Sequence, residues 1–545
     1  MDNKSFNLLD EAWIRVIYPD CREDEVSLKQ VFAGAHTYTD LAGELPTQNA
    51  AVLRLLLAVL HAVFYRFDEE GNPSEITNLD DAYDRWQALW EMGRFPAEPI
   101  ERYLESYRDR FDLFDDKRPF YQVPQAKIGT EYSSAKLNGE ISESGNKKRL
   151  FPTITGEEKN TLSYAEAARW LLYVNAFDDT SSKPKGKNLP SPGAGWIGKL
   201  GFIQAVGRNL FETLMLNLVL LNENDEPWGN PQPVWELDTP RASERTNIAC
   251  PDNQAELLTL QSRRLLLTEE NDRITGYYLL GGDFYEKENA FSEQMTVWKP
   301  VLNGKREIVG FQPARHNHER KMWQDFSGIA AVNEKHHMPG VVSWMNRLLE
   351  YSCLPPQTIG VYRIASVQYG DKDFFVTDVF EDSLTFHLNL LSELNGKWIE
   401  RITNEVTGCE RLAWAVGTLA KELDLAAGGN GESSAERAKE QLYYRIDVPF
   451  RSWLLTLDAD QSDIEREEKS VEWRNTAVQI ADRLGQELVK QAGPAAFSGK
   501  SVESNKQKDA KVYYCAPDSY NSFRSKLISY KKTKSFKDIK KNGGQ

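Results

Sequence analysis

After Phe386 the apolar residues of this 545-residue chain change their spacing. Ile402, Val406, Cys409, Leu412, Val416, Leu419 and Leu423 recur every three or four positions, which draws one apolar stripe along a long helix. A stripe of that length is satisfied only against other helices. The sequence beyond it supplies them. Ala426-Ala-Gly-Gly-Asn-Gly-Glu-Ser-Ser434 ends the first helix and caps a second over 435–457, with others expected at 462–491 and 520–530. Long antiparallel helices joined by short polar loops make a four-helix bundle.

The chain before this stripe reads differently. Phe6 to Ile17 is a turn followed by a strand. Gln48 to Phe67 is a strongly apolar helix with Leu55, Leu56, Val59, Leu60 and Val63 on one face. Amphipathic helices are expected from Leu79 to Met92 and from Pro99 to Tyr107, and two more from Tyr164 to Phe177 and from Asn209 to Leu221. From Glu256 to Leu280 and from Thr358 to Phe386 the texture is β, as in Leu257-Leu-Thr-Leu260, Tyr277-Tyr-Leu-Leu280 and Gly360-Val-Tyr-Arg-Ile364. The fold class is therefore α+β, a large mixed N-terminal domain followed by a C-terminal four-helix bundle. Residues 1–385 form the first, residues 386–530 the second, and residues 531–545 a basic, disordered tail. The length exceeds what one hydrophobic core normally organises, in keeping with such a division.

A net charge of −15 argues against a general nucleic-acid coat. The lysine-rich end from Lys500 onward runs against that balance, so contact with nucleic acid is expected only at chosen places. The five cysteines are scattered without a CxxC pair, which disfavours a disulfide framework and a cysteine-ligated zinc. The start lacks the apolar core of a signal peptide. The longest apolar run, Ala50 to Phe64, is interrupted by Arg54 and His61, so no membrane span is expected and the cytoplasm is the expected location.

One stretch carries chemistry: Lys183-Pro-Lys-Gly-Lys-Asn-Leu-Pro-Ser-Pro-Gly193-Ala-Gly-Trp-Ile-Gly-Lys199. Glycine lets a backbone approach a ligand closely, and lysine offers charge to a phosphate. Gly193 to Lys199 fits the first seven positions of a P-loop. Leu200 then lacks the hydroxyl that would sit on Mg²⁺, and the prolines before Gly193 exclude the strand a P-loop follows. A second basic loop, Asn146-Lys147-Lys148-Arg149-Leu150-Phe151, puts three cations before an aromatic ring, which suits phosphate contact with stacking or wedging. A third candidate is the hairpin tip Val367-Gln368-Tyr369-Gly370-Asp371-Lys372-Asp373, where Gln and Lys are placed to enter a groove. Asp178-Asp179 and Glu157-Glu158 read as solvated charge pairs, and His316, His318, His336 and His337 as loop histidines. No catalytic constellation, cofactor site or metal site emerges.

Taken in order, Asn7-Leu-Leu-Asp-Glu-Ala-Trp-Ile14, Arg110-Phe-Asp-Leu-Phe114, Arg118-Pro-Phe-Tyr-Gln122, Ala165-Glu-Ala-Ala-Arg-Trp-Leu171, Ser191-Pro-Gly-Ala-Gly-Trp-Ile-Gly198 and Gly207-Arg-Asn-Leu-Phe211 resemble the CasA family, the large subunit of the type I-E CRISPR Cascade complex. The resemblance implies a non-catalytic subunit. It would recognise the protospacer-adjacent motif (PAM) on double-stranded DNA, start strand separation (R-loop formation) and help recruit a helicase-nuclease. It implies as partners the other Cascade subunits, the CRISPR RNA, the target duplex and the displaced strand. The family's Phe-ended loop maps to Asn146–Phe151 and its glycine loop to Gly193, Ala194 and Gly195. Its hairpin wedge maps to Gln368, with Tyr369 and Lys372 beside it, and its motif-contacting lysine to Lys287. Some relatives carry a zinc-binding cysteine cluster, whereas Cys250 stands alone here. The competing reading is a P-loop-like or metal-dependent enzyme acting on nucleic acid.

Overall fold

The computed structural model describes residues 4–139, 160–180, 193–330, 335–392, 396–503 and 511–531. The loop Asn146–Phe151, the carboxylates Glu157 and Glu158 and the tail beyond 531 lie outside the described residues. The chain is a mixture of helix and sheet with a C-terminal helical region, and it divides into two compact units. One is drawn from Met1–Arg320, Val332–Pro355 and Gly360–Ser383. The other is drawn from Lys321–Ala331, Pro356–Ile359 and Leu384–Gln545. The short segment at Lys321, assigned from sequence to the first domain, belongs to the second unit because Trp323 stacks on Phe450 and donates to Asp447 at 2.8 Å.

The apolar run near residue 50 forms a helix, Pro46–Phe64, with proline in its first turn, where no intrahelical N–H is needed. Among the described residues it alone is long and apolar enough to cross a bilayer, and it is buried within the first unit. Tyr164–Phe177 and Gln254–Leu258 pack against it, and the first unit also contributes to a five-stranded sheet. The sheet order is Ile308–Pro313, Thr296–Leu302, Gly201–Ala205, Ile359–Tyr369, Val376–His387. Gly201–Ala205 pairs antiparallel with both neighbours, and all five of its residues are buried. Ser163 and Glu166 form a reciprocal capping box that starts the Tyr164–Phe177 helix and fixes where its far end emerges.

A second hairpin joins Arg263–Glu270 to Arg273–Gly281. The β reading of Leu257-Leu-Thr-Leu260 is corrected here. Asn253 caps a short helix, Gln254–Leu258, by accepting from the Glu256 amide at 2.9 Å, and the strand begins only at Arg263. The cap and leucine's own preference for helix decide this short run, where only Thr259 is β-branched.

In the second unit Gly396–Ala427 packs against Glu432–Leu454, Asp463–Gln491 and Ala516–Lys531. Its stripe residues Ile402, Cys409, Leu412, Val416 and Leu419 are buried. Close approach of the last helix needs small residues. A Cβ on Gly408 would meet the Tyr530 ring at 2.5 Å, and one on Gly485 would meet Phe523 at 2.3 Å. A buried charge of this unit, Glu405, is held by Arg474 at 2.6 Å. Burial raises the Glu405 pKa against the opposing pull of Arg474.

Candidate functional site

Three of the sequence-predicted segments meet in the first unit. The Tyr164–Phe177 helix delivers Asp178, Asp179 and Thr180 to the floor of the site. Gly193 to Lys199 lies over that floor. The Gly195 amide donates to the Asp178 carbonyl at 2.9 Å. Arg263 binds the Asp178 carboxylate and reaches the Gly193 carbonyl at 2.8 Å and the Asp179 carbonyl at 2.7 Å. Lys136 pairs with Asp179 at 2.7 Å. The two aspartates are thus buried counter-charges and not a solvated surface pair. Ionised groups so deep must be partnered, and these hold the loop from beneath.

Glycine is required at two positions of this loop. A Cβ on Gly195 would lie 2.5 Å from the Ala176 carbonyl oxygen, which is backbone and cannot yield. A Cβ on Gly198 would lie 2.0 Å from the Tyr369 hydroxyl. Tyr369 is itself fixed, because its hydroxyl donates to the Phe177 carbonyl at 2.8 Å. The sequence placed Tyr369 at the hairpin tip. The structure corrects this: Tyr369 is buried at the end of its strand and ties the hairpin to the glycine loop.

The exposed tip is Asp371 and Lys372 with Phe374 beyond them, and Gln368 is half-buried at its base. Lys372 and Asp373 both adopt left-handed backbone, φ 54° and 60°. Such residues cost roughly 1 kcal/mol or more each and persist only where their surroundings impose them. Thr180 does so here. Its amide donates to the Asp373 carbonyl at 2.9 Å and its hydroxyl to the Lys372 carbonyl at 3.0 Å. Arg315 completes the lock. It donates to the Gly198 carbonyl at 2.6 Å, grips both Asp373 carboxylate oxygens at 2.7 and 2.8 Å, and lies 4.7 Å from the Tyr369 ring centre.

Lys199 lies along this loop. Its ammonium is 5.3 Å from the Phe284 ring centre, and the nearby exposed Lys287 repels it. Gly193, Ala194, Gly195, Lys287, Gln368, Tyr369 and Lys372 therefore cluster in one neighbourhood. Sequence reasoning missed Arg263 and Arg315, which assemble it. Arg315 stands next to His316, whose ring contacts the Phe202 carbonyl at 3.0 Å. No spacing rule announces an arginine that acts through partners more than fifty residues away.

The P-loop alternative fails on geometry. Ile197–Lys199 is a single 3₁₀ turn that leads into the strand Gly201–Ala205, so the loop opens no helix whose N-terminus could receive phosphates. Among the described residues no three His, Cys, Asp or Glu side chains gather as metal ligands.

The sequence pattern of the family described as CRISPR-associated protein Cse1 matches residues 7–484. A CasA/Cse1 protein of Thermus thermophilus is 31% identical over 334 residues, which span 60% of this chain and 60% of that protein's length. The crystal structure of Thermobifida fusca Cse1 superposes with a TM-score of 0.80 at 28% identity, over 97% of this chain and 98% of that one. A chain from a solved CRISPR RNA-guided surveillance complex shares the fold, with a TM-score of 0.68 at 16% identity over 96% of this chain and 99% of its own.

Proposed function

The chain belongs to the CRISPR-associated protein Cse1 family, and from that premise we propose that it is the non-catalytic large subunit of an RNA-guided surveillance complex, reading the PAM on duplex DNA. Guide pairing would read the target and this chain only the short adjacent motif. The observation that carries the reading is the single assembly of glycine loop and hairpin, joined through Arg315, Thr180 and Tyr369. A partly exposed Gly193 without a side chain, beside a hairpin whose tip residues are strained, suits a groove reader that then parts the strands. The minor groove offers a degenerate code that such a permissive edge can read. The unstacking cost of a few kcal/mol per step would be offset by contacts at the tip.

In this reading the half-buried Gly193 faces the groove, the buried Ala194 and Gly195 hold it in place from behind, and Lys287 contacts the motif. Gln368 and Lys372 act at the wedge, while Asn146, Lys147, Lys148, Arg149 and Phe151 add a basic, aromatic arm. The second unit, as a four-helix bundle, would meet partner subunits and the displaced strand, and the assembled chain would recruit a helicase-nuclease in the cytoplasm. The test is co-purification of the tagged chain with its genomic neighbours. It should yield a small guide RNA and a complex that binds a PAM-bearing duplex better than one with a scrambled motif. A chain that purifies alone, or a complex indifferent to the motif, would contradict the reading.

A further inference from the structure

Five cations converge on the glycine loop and its floor, and two of them have no ion pair among the described residues. Arg263 is paired with Asp178, Arg315 with Asp373, and the floor residue Lys136 with Asp179. Lys199 and Lys287 have no ion pair among the described residues. Lys287 is exposed, so water solvates it. Lys199 is not so placed. Its side chain runs against Gly193, with Cε and Nζ only 3.3 and 3.4 Å from where a Cβ would stand, and Phe284 covers its other side. A half-buried ammonium with no ion-paired carboxylate is costly, and an anion arriving beside it would offset that cost.

We infer that Lys199 is a phosphate-binding residue of the interface, seating a DNA backbone phosphate against the Gly193 edge of the glycine loop, with Lys287 as the outer cation. This rests on the PAM-reading role given above. The groups around Lys199 are Arg263, Lys287 and Arg315, which repel its charge, and Asp373, which favours it. Burial, then those three cations, push its pKa down to about 8. The sign of the pH effect follows. An arriving phosphate favours the charged amine, so duplex binding takes up a proton. Binding is strongest below the free-state value and weakens as pH rises through it. The same geometry explains what a side chain at 193 would do: a carboxylate there would pair with Lys199 and occupy the seat.

The test compares wild type, Lys199→Met and Lys199→Arg in the purified complex with its guide RNA, using a PAM-bearing duplex. Lys199→Met should bind about tenfold more weakly, the scale of one charge-assisted contact. The slope of log affinity against log salt should fall by about 0.9. Wild-type affinity should drop roughly tenfold between about pH 7 and pH 9, whereas Lys199→Arg, which does not titrate there, should bind well and stay flat. Unchanged affinity and an unchanged pH profile in Lys199→Met, with motif-dependent binding intact, would overturn the assignment of Lys199 alone. Loss of motif dependence in the wild type itself would overturn the PAM reading and this inference together.

Discussion

The glycine-loop neighbourhood and the helical unit solve the same problem, holding backbone in place, by opposite means. In the helical unit the Ile402 to Leu423 stripe repeats one apolar contact many times, and Gly408 and Gly485 admit the last helix. No single contact decides the outcome. Around the loop, irregular backbone is held by a few specific bonds: Gly195 to Asp178, Arg263 to Gly193, and Arg315 to Gly198 and Asp373. The difference teaches where precision resides. Repetition gives stability, whereas a shaped edge needs buried charges, obligatory glycines and strained tip residues.

The largest effect expected is on the side of repetition. Trp473 is buried against Phe450 and Trp453. Trp473→Ala should cost about 3–5 kcal/mol through lost transfer energy and a cavity. Calorimetry of the full chain should show the transition of the helical unit fall while that of the first unit holds. Equal movement of both transitions would break the comparison.

Gly195→Ala comes next. The added methyl would press on the Ala176 carbonyl, and overpacking of this kind costs about 1–3 kcal/mol. Its effect on duplex binding should be out of proportion to its effect on melting. A smaller change is expected for Arg315→Leu, about 1 kcal/mol, since Asp373 remains partly solvated once released. Hydrogen exchange should rise at Asp371–Asp373 and nowhere in the helical unit. Unaltered exchange at the tip would mean that Thr180 alone holds it. Smallest is Arg524→Ala on the helical surface, where the pair with Asp482 is worth under about 1 kcal/mol. A larger loss in urea unfolding would show that the helical unit also depends on individual surface ion pairs.

These contrasts also explain what the sequence disclosed. Periodicity marked the long helices from Gly396 to Lys531, because a repeated contact writes itself into a repeated residue. The glycine loop was legible as bare backbone near lysines, and the hairpin as two β runs around Tyr369-Gly-Asp371. The placement of Tyr369 was not legible. Its burial depends on the Phe177 carbonyl, far away in sequence. For the same reason Asp178 and Asp179 read as surface charges until Arg263 and Lys136 stood beside them. The family resemblance pointed to Lys287 and Gln368, while the residues that join their elements, Arg315 and Thr180, carry no motif.

The central claim is that the loop and the hairpin work as one reader that binds first and opens second. Its most direct measurement is strand opening on a PAM-bearing duplex, followed by permanganate reactivity or 2-aminopurine fluorescence beside a gel shift, in the purified guide-loaded complex. Gly193→Asp should abolish motif-dependent binding and opening together, by charge against phosphate and by capturing Lys199. Gln368→Ala with Lys372→Ala should retain weak binding yet open the duplex several-fold more slowly, since the unstacking cost would lose its compensating contacts. Wild-type opening rates in both variants would contradict the account.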